Sequence, residues 1–323
     1  MRVLFIGTDC IEKWDPYIGD LDCAFLNGFD EDIKANCGAD TVLRSCRAFG
    51  SLSDALAAHK PSFVVIGVPN TRKNKPGYEL AALASGADLY VHKFRLADFA
   101  DYDRVLESSR VTGREVFMGE SYRRAAATRT AASILMESGF GAIETIDWRC
   151  SLSIPVSSWE SAYASLALED LAPHHLSALD ALTPLNAVEV YAKTQTPAKG
   201  LPSRGTVCVL VLTLEGGAVV THRVDWHAAA WPTDFYGVVD IECADGYVHI
   251  DQNELRSGRY DDTAATHRID GPPADAPGEV LQYLKTGKSG AKPYDIEEFD
   301  RVARVLRAAQ RSVETGLPIA IQP

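Results

Sequence analysis

SFVVIGVPNTRKNKPGYELAALASGADLYVHKF, residues 62–94, holds a strand, a helix and a second strand in one short stretch. The run 62–69 is continuously apolar, as a strand buried on both faces is. GYELAALASG (77–86) has helical spacing and ends on Gly86, a residue type that closes helices. DLYVHK (88–93) is again a strand. Upstream, Arg2–Ile6 forms a short strand ending at Gly7, 22–27 is another, and 51–60 is a helix capped by Ser51 or Ser53. Downstream, 97–113 reads as a helix with a glycine stop and 115–122 as a strand. This alternation predicts a doubly wound, Rossmann-type parallel sheet over residues 1–122.

Near residue 142 the pattern changes. AIETIDWRC, AVEVYAKT, TVCVLVLTL, AVVTHRVDW, YGVVDIECADG and YVHID follow in close succession, with hairpin signals at 215–217 and 245–246. They predict an α+β domain over 123–294 with a large, mostly antiparallel open sheet and one helical insert near 158–183. Residues 253–278, rich in Asp, Arg, Gly and Pro, read as a surface excursion. In 295–316, Phe299, Val302, Val305 and Leu306 recur at helical spacing before Gly316. This helix and the tail to 323 are expected to pack back on the N-terminal domain.

A chain of 323 residues favours two domains. Its net charge of −12 argues against nucleic acid and anionic membrane surfaces as partners. No apolar run is long enough to span a bilayer, and MRVLFIG lacks the pattern of a signal peptide. The seven cysteines are scattered with no C-x-x-C pair. They read as reduced thiols in a cytoplasmic protein without a metal site.

Three stretches carry chemistry. Lys93 ends a strand of the parallel sheet, where ligands of such sheets bind; the alternative is a solvated lysine. Asp170 and His174 lie four apart in LEDLAPHHLSALDAL, on one helical face, where a carboxylate can orient and tune an imidazole. Because Pro173 marks a helix start, Asp170 could instead be an N-cap. His175 and Asp180 point elsewhere and read as structural, with His175 retained as a substrate candidate. The third stretch is Gly7-Thr8-Asp9-Cys10-Ile11-Glu12. A dinucleotide turn needs bare N–H groups there, but only one glycine is present, and Asp9 and Glu12 bring negative charge.

These stretches, in order, resemble the glucose–fructose oxidoreductase and inositol dehydrogenase (Gfo/Idh/MocA) family. VVIGVPN resembles its Thr-Pro-Asn turn, with Val68 for threonine. ALASGADLYVHKF resembles its Glu-Lys-Pro segment, with His92 and Phe94 as the departures. SYRR, ESGFGAI and DLAPHHLS resemble further segments, with Ala172 and Ser177 departing in the last. The resemblance implies that Lys93, Asp170 and His174 are catalytic, with histidine as proton acceptor. It implies NAD or NADP near Gly7, Thr8, Asp9, Val68, Pro69, Asn70, His92 and Lys93, with Asn27 or Asp30 at the ribose. The eroded glycine turn opposes that cofactor. Arg72, Lys73 and Lys75 are either phosphate ligands or a solvated charged loop.

Tyr122 and Arg123 follow the fifth strand as substrate candidates. Trp226, His227, Trp231, Asp234 and Tyr236 cluster around one strand pair, with Trp231 and Tyr236 as substrate candidates. Core packing or a subunit contact is the alternative. The uncovered sheet face predicts a homo-oligomer, a dimer or tetramer. The functions that fit are an NAD(P)-dependent oxidoreductase for a small polar, sugar-like or secondary-metabolite substrate, a non-redox lyase, isomerase or cyclase on the same scaffold, or a non-catalytic binding subunit.

Overall fold

The computed structural model describes residues 1–8, 11–26, 46–69, 71–155, 161–196, 204–251, 254–260, 264–269 and 275–322. Asp9, Asn27, Asp30 and Asn70 lie outside the described residues. The chain divides into two compact units: Met1–Glu120 with Asp275–Phe299, and Ser121–Ala274 with Asp300–Pro323.

The first unit is built on a six-stranded sheet. Its strands are β1 (Arg2–Gly7), β2 (Asp22–Leu26), β3 (Arg47–Phe49), β4 (Phe63–Gly67), β5 (Asp88–Val91) and β6 (Val116–Met118), in the order β3-β2-β1-β4-β5-β6. All five pairings are parallel, as the continuous apolar runs require. The helices are α1 (Leu52–His59), α2 (Lys75–Ala84) and α3 (Phe99–Thr112). Ser51 caps α1, its hydroxyl accepting from the Asp54 amide at 3.1 Å. β3 is not evident in the sequence, because it has three residues and exposes the first two.

No α-helix stands between β1 and β2 among the described residues. Ile11–Asp20 winds as a 3₁₀ helix with Pro16 inside, and it buries Ile11, Trp14 and Ile18. Trp14 packs edge-on to Phe5 at 5.9 Å and to Tyr90 at 5.0 Å. The same apolar layer holds Val3, Phe25, Phe63 and Phe117. It is completed by Ala276, Val280, Leu281 and Tyr283 of α6 (Ala276–Lys285), whose N-cap is Asp275. The expected boundary at 294 is therefore corrected: 275–294 packs into the first unit. Apolar burial drives this, and Lys288 adds ion pairs to Asp88 at 2.9 Å and Glu115 at 2.6 Å.

The second unit is built on a nine-stranded sheet, ordered β14-β13-β12-β11-β7-β10-β9-β8-β15. The strands are β7 (Ile143–Ser151), β8 (Ala187–Gln195), β9 (Val207–Leu214), β10 (Val219–Asp225), β11 (Val238–Cys243), β12 (Gly246–Asp251), β13 (Glu254–Arg259), β14 (Ala265–Arg268) and β15 (Ile319–Ala320). Only β7 and β10 pair in parallel. The excursion expected at 253–278 is corrected: it contributes β13, β14 and the start of α6. Alternation in β13 buries Leu255 and Ser257 while Arg256 faces out.

Two further helices, α4 (Ala126–Glu137) and α5 (Ala172–Leu182), belong to this unit. α4 had no counterpart in the sequence reading. The last helix, α7 (Ile296–Thr315), buries Phe299, Val302, Val305 and Leu306 as their spacing predicts, and Gly316 follows it at φ +70°. The tail beyond it adds β15 to the second sheet. Residues 300–323 thus belong with the second unit, not with the N-terminal domain as expected, because β15 satisfies the edge of β8.

Candidate active site

The helix carrying Asp170 and His174 does not start as an ordinary α-helix. Ala167–Leu171 forms a π-turn, and the Ala172 amide donates to the Ala167 carbonyl five residues back. Pro173 explains it. Proline has no N–H, and its ring would press on the carbonyl four residues back in a tighter turn. Single π-turns of this kind concentrate at functional sites. Asp170 is not a cap: α5 starts after Leu171 with no side-chain cap. The Asp170 carboxylate instead accepts from the Tyr163 hydroxyl at 2.8 Å. Asp170 and His174 keep 6% and 8% of their surface exposed, at the margin of the core. The ring of Tyr122 meets His174 edge-on at 5.5 Å. Tyr163, Asp170, His174 and Tyr122 are thereby gathered in one unit.

His175 is not a substrate residue. It is fully buried, and both nitrogens are engaged: Nε2 with the Phe235 carbonyl at 2.8 Å, Nδ1 with His222 Nε2 at 2.9 Å. A carbonyl only accepts, so His175 Nε2 carries the proton, Nδ1 accepts, and His222 Nε2 donates. His222 Nδ1 is then a buried lone pair with no protein partner among the described residues. Burial, with the facing His222, pushes His175 well below the usual histidine range, and burial alone lowers His222 to about 4. Both rings stay neutral. His175 lies flat between Tyr122 at 5.6 Å and Trp148 at 5.1 Å, so it supports the ring beside His174.

The other second-unit candidates separate. Arg123 donates to Asp180 at 2.8 Å and to the Ser177 carbonyl at 3.1 Å. Arg301 grips the same carboxylate with two bonds of 2.7 and 2.9 Å. Arg123 is thus held in a structural ion network, as Asp180 was expected to be. Tyr236 is buried, its hydroxyl 2.9 Å from that of Thr128, and burial raises its pKa. It packs on Trp148 at 5.2 Å, which fits the core reading. Trp226 is buried, His227 Nδ1 meets the Ile154 carbonyl at 2.9 Å, and Asp234 closes a turn on the Gly237 amide at 2.8 Å. Trp231 is 84% exposed at φ +55°, on the surface of its unit.

In the first unit, Lys93 is half-buried just beyond β5, which removes the fully solvated alternative, and His92 is buried before it. Gly7 has φ +85°, and a Cβ there would lie 2.3 Å from the Gly67 carbonyl oxygen. The glycine lets the ends of β1 and β4 meet, a need independent of any ligand. Thr8 is buried, and its hydroxyl has no protein partner among the described residues. Glu12 is exposed, which weakens the charge penalty expected at this turn. Val68 is buried, and its carbonyl accepts from the ammonium of Lys75 at 2.8 Å. Neither reading of Lys75, phosphate ligand or solvated loop, is correct: it is 1% exposed and 4.0 Å from buried Glu79. Burial raises the Glu79 carboxyl to about 7 against the pull of Lys75. Arg72 and Lys73 are exposed, and Pro69 is half-buried with its carbonyl bonded to the Arg72 amide at 3.0 Å.

Sequence reasoning missed Tyr163, because a tyrosine outside any regular element gives no periodic signal. It also missed His222, which stands in an alternating strand where an apolar residue would look the same.

No family model and no curated protein matches the sequence. Solved structures match along its length. An oxidoreductase from Agrobacterium radiobacter in complex with NAD+, L-tartaric acid and magnesium is 13% identical, with TM-score 0.85 over 99% of this chain and 98% of that one. The chain has the fold of this oxidoreductase. The WlbA dehydrogenase from Bordetella pertussis, in complex with NADH and UDP-GlcNAcA, is 20% identical, with TM-score 0.78 over 100% and 99%. The aldose-aldose oxidoreductase from Caulobacter crescentus, complexed with glycerol, is 16% identical, with TM-score 0.80 over 99% of each chain. The expected fold class, a Rossmann-type parallel sheet beside a large, mostly antiparallel open sheet, is the observed one.

Proposed function

We propose that this protein is an NAD(P)-dependent oxidoreductase of the Gfo/Idh/MocA type. Its substrate would be a small polar, sugar-like molecule or secondary metabolite, reacting at a hydroxyl, keto or imine carbon. The observation that carries the reading is the Tyr163–Asp170 bond on the π-turn that leads to His174. It holds a carboxylate one turn ahead of an imidazole at the edge of the core. Two of these solved structures of like fold hold NAD+ or NADH, which supports the cofactor assignment.

The residues present fit a dinucleotide in part. The buried Thr8 hydroxyl at the carboxyl end of β1 is a donor in need of an acceptor, and Lys93 lies just past β5. The 3₁₀ helix after β1 offers less to a pyrophosphate than an α-helical N-terminus would. When bound, the dinucleotide would supply the hydride chemistry. His174 would take the substrate hydroxyl proton on an imidazole nitrogen. Asp170, steadied by Tyr163, would help to orient the ring, and Lys93 would polarise the oxygen.

Titration with NADH and with NADPH, by fluorescence or calorimetry, tests this. Micromolar binding is expected, and no binding at millimolar concentration rejects the assignment. Lys93→Ala and His174→Ala should each lower turnover by at least a hundredfold. The 3₁₀ helix favours one second reading, a lyase, isomerase or cyclase that uses the same acid–base residues without dinucleotide. It would stand if those variants lost activity while NADH failed to bind. We also propose a homo-oligomer joined through the open sheet face, where Val188, Tyr191, Val209 and Val219 are exposed.

A further inference from the structure

Cys23 and Cys46 offer chemistry that the proposed function does not use. Cys23 lies on β2 and is 9% exposed, and Cys46 directly precedes β3 and is half-buried. The strands pair in parallel with Ala24 opposite Arg47, so one step back Cys23 stands opposite Cys46. Paired strands run about 4.8 Å apart, inside the Cα range that a disulfide spans. The sulfurs lie 2.7 Å apart, with both side chains aimed at each other. Two thiols at rest stand farther off, and only a short closure would join them.

We propose that Cys23 and Cys46 are a redox modification site, a dithiol that closes to a disulfide when the protein meets a hydroperoxide. The more exposed Cys46 reacts first. Its thiolate sulfur attacks one peroxide oxygen, the O–O bond breaks, and hydroxide leaves to be protonated to water. Cys46 is then a sulfenic acid. The Cys23 sulfur attacks the Cys46 sulfur, the S–S bond forms, and the S–O bond breaks. The departing hydroxide takes the Cys23 proton and becomes the second water. Two sulfurs are oxidised and one peroxide is reduced. The bond would clamp β3 to β2 and close the chain between residues 24 and 45 into a loop. Burial and the neighbouring sulfur push the Cys46 thiol up. The first step is therefore slow at neutral pH and accelerates about tenfold per pH unit in mild base, as the thiolate fraction grows.

The test uses the full chain, treated with hydrogen peroxide, alkylated and digested with trypsin without reductant. Lysines and arginines place the four N-terminal cysteines on separate peptides: Cys10 in 3–13, Cys23 in 14–34, Cys37 in 35–44 and Cys46 in 45–47. The expected product is 14–34 joined to 45–47, two hydrogens lighter than the sum, split by dithiothreitol and formed faster at higher pH. Its formation should raise the melting temperature of the unreduced protein by a few degrees. In Cys23→Ser, peroxide should drive Cys46 on to the sulfinic acid. Separate alkylated or over-oxidised peptides from the wild-type chain, or a link from either cysteine to Cys10 or Cys37, would overturn the proposal.

Discussion

The buried histidine pair makes the protein sensitive to acid at one identifiable place. His222 titrates near 4 in the folded chain and near 6.5 when unfolded. Between those values the unfolded chain holds a proton that the folded chain does not. Stability is therefore lost as pH falls from 6.5 toward 4, by roughly 3 kcal/mol for one buried ring. His222→Gln keeps a donor for His175 Nδ1 but cannot titrate. Urea midpoints between pH 7 and 4 should fall less steeply in that variant, by about one proton, and an unchanged slope would refute the neutral-pair assignment. Side chains of this kind are the least readable in a sequence. His174 and His175 are adjacent and chemically identical, yet the helix turns one to the core margin and seals the other between two aromatic rings. Lys75 sits in a charged run and still ends up buried, because α2 begins at that residue. The fate of His175 depends on partners far away in the chain, His222 and Phe235.

At the scale of single elements, the clearest case is the junction of β1 and β4. Gly7→Ala would push a methyl group into the Gly67 carbonyl at a backbone angle that side chains avoid. A loss of about 2–5 kcal/mol is expected from strain and clash together, measured by denaturant unfolding without any dinucleotide present. A stable variant that only binds cofactor poorly would show instead that the glycine serves the ligand. β1, β4 and β5 were legible because burial on both faces leaves uninterrupted apolar runs. The 3₁₀ helix was not, since Pro16 interrupts a short segment whose inward side is marked only by Ile11, Trp14 and Ile18. β3 and α4 were too short or too mixed to register. The π-turn was half visible: Pro173 signalled a helix start, but a wide turn and a cap place Asp170 differently, and only the Tyr163 bond separates them.

For the whole molecule, alternation along β8, β9 and β10 buries one sheet face and leaves Tyr191, Val209 and Val219 on the other. If that face joins copies, light scattering should report a dimer or tetramer, and Val209→Glu should shift it toward monomer while the melting temperature stays close to wild type. A monomeric wild-type chain would refute the assembly. The two-domain plan was readable from the change of pattern near residue 142, whereas the return of 275–299 to the first sheet was not, since nothing local in 276–285 names Trp14 as its partner. That return has a consequence for how the protein is made. A ribosome releases β1 through β6 long before Ala276, Val280, Leu281 and Tyr283 emerge. Until then the layer around Trp14 has no roof, and the nascent N-terminal sheet presents greasy surface throughout synthesis of the second sheet. The first unit to be started is thus held open until residue 299 has emerged, and the second still waits for its own last segment, 300–323.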